Sequence, residues 1–190
     1  MNASKTATKT AAVTAAGTAA GTAVRAAERI PARVGLALAR TVARGGAAGA
    51  AGTVALDAVS YADMALRGRG ASGAPGAVVD RLARDTGHPV PGTDEVRANR
   101  LSALGALSGM AVGCGVGVTV SLLRRAGVRM PWWLGTLTTG ALAMAAADVP
   151  LAKLGVSDPS TWSAADWASD IAPHLMYGLV TYAVVVAGED

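Results

Sequence analysis

"LSALGALSGMAVGCGVGVTVSLL", residues 101–123, runs for 23 positions without a charged side chain. At 1.5 Å per helical residue this is roughly 34 Å, enough to cross the hydrocarbon core of a bilayer. Inside it glycine stands at 105, 109, 113 and 117. Each glycine costs a helix about 1 kcal/mol relative to alanine, yet residues four apart share one helix face. Gly105, Gly109, Gly113 and Gly117, continued by Ser121, therefore predict a ridge of bare backbone that another helix can approach closely. In lipid, helices associate through such small-xxx-small contacts, with weak Cα–H···O bonds adding to van der Waals attraction.

Composition points the same way. Apolar residues make up 52% of the 190 positions, but there is no phenylalanine; alanine, valine and leucine supply most of that total, and 24 glycines stand beside it. A water-soluble core of this size draws on large side chains, which bury the most area per ordered residue. Three more stretches compete for the membrane. Residues 132–151, "WWLGTLTTGALAMAAADVPL", end at Asp148 and Pro150. "IAPHLMYGLVTYAVVVA", residues 171–187, reaches spanning length when its helix begins near Trp167. Residues 45–66, "GGAAGAAGTVALDAVSYADMAL", carry Asp57 near the middle and Asp63 near one end. The expected fold is all-α: an integral membrane bundle of four transmembrane helices, at about 45–66, 101–123, 132–151 and 167–187. A basic amphipathic arm, residues 25–44, precedes it, after an alanine- and threonine-rich tail, residues 1–24.

The first span offers a second ridge, Gly45, Gly49, Thr53, Asp57 and Tyr61, again in steps of four. The two ridges are expected to pack on each other; the alternative is that one of them makes a homo-oligomer contact.

Flanking charge sets the orientation. The link "RRAGVRM", residues 124–130, holds three arginines, and short arginine-rich links stay cytoplasmic. The link from Pro150 to Asp170 has one lysine against Asp158, Asp166 and Asp170, and it carries Trp162 and Trp167. It belongs outside, and both termini then lie in the cytoplasm of a cell-membrane protein. Against this stand six arginines in residues 67–100, offset by Asp80, Asp85, Asp94 and Glu95. Within that loop "APGAVVDRLARDTG", residues 74–87, predicts a short helix opened by Pro75 and stopped at Gly87, followed by a turn-rich stretch holding His88. Ser163 followed by Asp166 predicts a capping box that starts the last helix before Trp167.

In the arm, Arg25, Arg29, Arg33, Arg40 and Arg44 fall within a sector of about 100° on a helical wheel. Val34, Leu38 and Val42 lie elsewhere. The pattern suits contact with anionic lipid, or a solvated basic tail that only enforces topology, with Pro31 breaking the helix in two. Residues 11–24 lack the leucine-rich centre of a signal peptide.

Chemistry is sparse. Cys114, the only cysteine, admits no intrachain disulfide and no thiolate metal site. No metal-spaced histidine pair, nucleophile elbow, phosphate loop or C-x-x-C motif occurs, so neither metal nor cofactor is expected. Adjacent spans make lipid, not nucleic acid, the partner of the basic cluster. The candidate polar site comprises Asp57, Asp63, Asp148, Asp170, His174 and Tyr177. Asp57 stands on the small-residue ridge, facing the interior, where a carboxylate costs about 2.5–3.5 kcal/mol on insertion scales. Asp170, His174, Tyr177 and Thr181 form a polar stripe on the last span, with Pro173 freeing one carbonyl nearby. Asp148 ends its span at the same interface. Such a carboxylate–imidazole group can bind a proton or a cation; equally, Asp170 can cap a helix and His174 can bond a carbonyl.

The order "GTVALDAVSYADMALRGR", "NRLSALGALSGMAVGCGVGV", "PWWLGTLTTGALAMAAADVPLAKLGVSDPSTWSAADWASDIAPHLMYGLV" resembles small multi-span membrane proteins of high-GC actinobacteria over residues 45–187. Residues 130–182 are similar to YagU-type inner-membrane proteins, through Pro173, His174, Tyr177 and Gly178. That second resemblance implies a link to acid tolerance and no catalytic residues. The expected function is thus a multi-pass membrane protein of structural or accessory type. The alternative is a small transporter or proton-linked channel using Asp57 with Asp148, Asp170 and His174; an enzyme acting on lipid headgroups ranks third.

Overall fold

The computed structural model describes the backbone of residues 3–188 and the side chains of residues 34–188. Every regular element there is helical: α1 (Ala3–Arg67), α2 (Ala74–Asp85), α3 (Asp94–Arg125), α4 (Trp132–Lys153), a 3-10 turn (Pro159–Thr161) and α5 (Ala164–Ala187). The chain divides into two compact units, residues 1–40 and residues 41–190. In the first, the expected break at Pro31 is absent and the backbone is helical through it. Proline's fixed φ is close to the helical value, so its cost there is one missing hydrogen bond and a local bend. Arg25, Arg29 and Arg33 lie outside the residues whose side chains are described. Arg40 is exposed, beside exposed Val34, Leu36 and Leu38.

The second unit is a helical bundle. Among the described residues three helices are long and apolar enough to cross a membrane: α3, α4 and α5. Residues 45–66, the remaining expected span, lie within α1 and do not qualify by the same measure. Alanine and glycine contribute little hydropathy, and Asp57 and Asp63 subtract from it.

Helix boundaries differ from expectation in ways that local chemistry explains. The predicted span at 101–123 begins two turns earlier, at Asp94, behind an extended Thr93. Asp94 and Glu95 occupy its first turn, where the helix dipole favours negative charge. The helix predicted over residues 132–151 runs through Pro150 to Lys153, with Leu151 buried. For α5 the capping box forms in both directions: the Ser163 hydroxyl accepts from the Asp166 amide, and the Asp166 carboxylate accepts from the Ser163 amide. The helix therefore starts at Ala164. Gly87, at φ +76°, carries the chain out of α2, and Gly127, at φ +96°, makes the tight link from α3 to α4.

α1, α3, α4 and α5 alternate in direction along the chain, which leaves α3 and α5 parallel. Gly45 of α1 faces Gly117 and Ser121 of α3, while Gly49 faces Gly113, so these two helices run antiparallel. A Cβ added at Gly45, Gly49, Gly113 or Gly117 would overlap the opposing helix. The other two glycines of the α3 ridge have different surroundings. Gly105 abuts Pro75 and Gly76 of α2, and Gly109 faces open space. On the far side of the bundle, Gly178 of α5 meets Thr136 and Gly140 of α4, again backbone against backbone. Gly135 leaves room for the Tyr182 ring. Around these contacts the core gathers Ala48, Val116, Val120, Ala143, Tyr177, Tyr182 and Val185.

Candidate functional site

α4 and α5 pack antiparallel, which brings Asp148, near the end of α4, beside the first turns of α5. Asp148 faces Asp170 and His174. His174 Nδ1 lies 2.8 Å from the Asp170 carbonyl oxygen and 3.3 Å from Asp170 Oδ1. A carbonyl only accepts, so Nδ1 is the protonated nitrogen, and it is shared with the carboxylate. The His174 and Asp170 side chains are 13% and 22% exposed. Asp170 Oδ2 is buried and has no donor among the described residues. Pro173 removes the amide that would bond the Ser169 carbonyl, one position before the carbonyl that His174 uses. The arrangement can hold a proton between two carboxyls beside an imidazole. Among the described residues no group of histidine, cysteine, aspartate or glutamate side chains is arranged to hold a metal ion.

The other sequence-predicted polar residues are elsewhere. Asp57 is half-buried on α1, with no hydrogen bond or ion pair among the described residues. Asp63 ties the end of α1 to the start of α5: Arg69 Nε donates to it at 2.5 Å, Arg67 Nη1 at 3.4 Å and Ser169 Oγ at 3.2 Å. Arg67 also donates to Ser169 at 2.5 Å. Tyr177 leaves the polar stripe for the core, where its hydroxyl donates to the Gly113 carbonyl at 2.6 Å. Thr181 likewise points at the Ala48 carbonyl, at 3.4 Å. Each hydroxyl joins α5 to the glycine face of α3 or α1, so these two residues fasten helices and do not extend the carboxyl group.

A second polar constellation escapes sequence reading. Arg124, buried at the opposite end of α3, donates from Nη1 to the Tyr182 hydroxyl at 2.7 Å. That hydroxyl donates in turn to the Met130 carbonyl at 2.7 Å. The guanidinium also stands 5.2 Å from the Tyr182 ring centroid, within cation–π range. One signal was available: Arg124 lies three residues after Ser121 and seven after Gly117, on the ridge face, so it points inward. Its loop neighbours Arg125 and Arg129 are exposed.

In the loop between α1 and α3, α2 is anchored through Asp80, which is buried and accepts from Arg84 at 2.7 Å and from Arg97 of α3. Comparison with protein-family models, characterised proteins and solved structures finds no match to the chain.

Proposed function

We propose that this chain is a multi-pass cell-membrane protein of structural or accessory type. On this reading residues 45–66 form a fourth span beside α3, α4 and α5, and both termini are cytoplasmic. The observation that carries it is an inverted distribution of side chains. Glycine, threonine and tyrosine fill the contacts between helices, while Leu107, Leu137 and Leu179 are 60%, 48% and 41% exposed. In water such outward apolar faces would drive aggregation; in lipid they are solvated, and the small residues supply the packing. Trp132 and Trp133, exposed at the start of α4, and Trp162 and Trp167, tilted at 60° to each other with ring centroids 5.0 Å apart beyond its other end, suit the two interfaces of one bilayer. Arg25, Arg29, Arg33, Arg40 and Arg44 then meet anionic lipid on the cytoplasmic side.

Membrane fractionation tests the reading. The chain should stay in the pellet through alkaline carbonate extraction, and release into the supernatant would overturn it. Orientation is read from single cysteines in a Cys114→Ala background. An impermeant maleimide added to intact cells should label Ala165→Cys and spare Val128→Cys; the reverse pattern inverts the topology.

A second reading, a small transporter or proton-linked channel, is supported by the neighbouring Asp148 and Asp170 carboxyl groups beside His174 and by the buried Asp170 Oδ2, which has no donor among the described residues. A proton moving on and off that pair is the step such a device needs. Flux after a pH jump in proteoliposomes, lost in Asp148→Asn and His174→Ala, would establish it. No flux above empty liposomes removes it.

A further inference from the structure

Six arginines lie in residues 67–100, and five of them face a carboxylate. Arg67 and Arg69 meet Asp63, Arg81 meets Asp85, and Arg84 and Arg97 meet Asp80. Arg100 meets none among the described residues, where its bond runs from Nη1 to the Pro91 carbonyl at 2.7 Å. That bond neutralises no charge and leaves the other guanidinium donors available. Arg100 is also the last charged residue before the 23 uncharged positions of α3. On the membrane reading above, on which this inference rests, it stands at the boundary between headgroups and acyl chains.

Beside it lies a shallow, open cleft of about 520 Å³, bordered by the His88–Pro91 turn on one side and by Arg100, Ala103 and Leu104 of α3 on the other. The lining is mostly apolar. The turn holds its shape through His88, whose Nδ1 donates to the Thr86 carbonyl at 2.8 Å, and through the Arg100–Pro91 bond. One end of the cleft is therefore cationic, and the rest follows Leu104, which is 41% exposed, onto the outer face of α3. A ligand that complements it carries one negative charge at a hydrocarbon boundary, with an apolar tail pointing along the helix. A free phosphate uses only the first half of this surface, and an acidic peptide does not match the second.

We propose that this cleft binds one anionic phospholipid, with its phosphate on the Arg100 guanidinium and an acyl chain along Ala103 and Leu104. The charge-assisted bond orients the headgroup, and the apolar lining lies along the acyl chain.

The test uses the full chain purified from membranes and exposed to an equimolar mixture of phosphatidylglycerol and phosphatidylcholine. Retained lipid is counted by native mass spectrometry. The wild type should retain one phosphatidylglycerol in preference, and Arg100→Gln should lose that preference by about tenfold. Arg100→Lys should keep most of it, and Arg81→Gln, which removes the partner of Asp85, should keep all of it. Equal retention by wild type and Arg100→Gln overturns the proposal, as does an equal loss in Arg81→Gln, which would indicate a diffuse positive field. Displacement of the lipid by millimolar glycerol phosphate would assign the cleft to a soluble ligand and overturn it too. A chain that resists carbonate yet shows no lipid preference loses this site alone, whereas a carbonate-soluble chain loses the membrane reading with it.

Discussion

Replacing Gly117 by alanine adds one methyl group to the contact between α1 and α3, and the same change at Gly109, two turns away on the same helix, adds it to open space. A Cβ at Gly117 would overlap the Gly45 carbonyl and would lie 2.6 Å from Gly49 N and 2.7 Å from Gly49 Cα, where ordinary contact begins at 3.4 Å. All three obstacles are backbone, so no side chain can swing aside. The nearest of them, the Gly45 carbonyl oxygen, forces the helices apart by roughly 1 Å, and a gap of that size forfeits about half of each dispersion contact along the seam. Overpacking of this kind costs about 1–3 kcal/mol, against which the alanine returns about 1 kcal/mol of helix propensity. Gly109→Ala keeps that gain with nothing against it. The two variants should therefore separate, Gly117→Ala being less stable than the wild type by up to about 2 kcal/mol and Gly109→Ala more stable by up to about 1 kcal/mol. Reversible unfolding in mixed micelles, followed by circular dichroism, measures both. Equal stability of the two variants would refute the argument that direct backbone contact, and not glycine content, holds α1 to α3.

Two further outcomes follow from the polar contacts. Tyr182→Phe removes an acceptor from buried Arg124 and a donor to the Met130 carbonyl, so it should cost about 1–3 kcal/mol in the same assay. Tyr177→Phe, which frees only a carbonyl already bonded within its helix, should cost about 1 kcal/mol or less; the reverse order would count against a structural role for Arg124. Asp158, in the link between α4 and α5, accepts from the Ser160 amide at 2.9 Å and the Ser160 hydroxyl at 2.7 Å, which hold its carboxyl below the usual carboxylate range. Because the folded value is depressed, the turn gains from ionised Asp158 above the unfolded value and loses that gain as pH falls through the folded one. A carboxyl-carbon NMR titration of Asp158 should show the low value, Ser160→Ala should raise it, and no change in that variant would sink the explanation.

Asp63 and Asp57 mark the limit of reading the site from the chain. Both are carboxylates on one helix, six positions apart, and both sit in the same weakly apolar stretch. The choice of Asp63 as the latch to α5 depends on where Ser169 and the Arg67–Arg69 turn fall in space. Asp57 meets no partner among the described residues, so the six-residue polar site of the sequence separates there into a carboxyl–imidazole group, a latch, a core hydroxyl and a carboxylate set apart from them. Likewise, the stripe Asp170, His174, Tyr177 and Thr181 is one face of α5 by spacing alone. That face crosses from the bundle end into the core, so its first two members meet Asp148 and its last two meet glycine-lined backbone.

What the residues determined alone is what acts over a turn or two of helix. The charge-free run before Arg124, the Ser163–Asp166 box, the proline that opens α2 and the glycine that stops it depend on neighbours within a few positions, so helix identity and apolar character were legible in the string. Tertiary structure alone decided which glycines are buried. Gly113 and Gly109 are indistinguishable by spacing, yet one receives a hydroxyl from Tyr177, 64 positions away, and the other faces outward. That difference rests on the rotation and axial offset of whole helices, which follow from the sum of contacts along their length and from no local pattern.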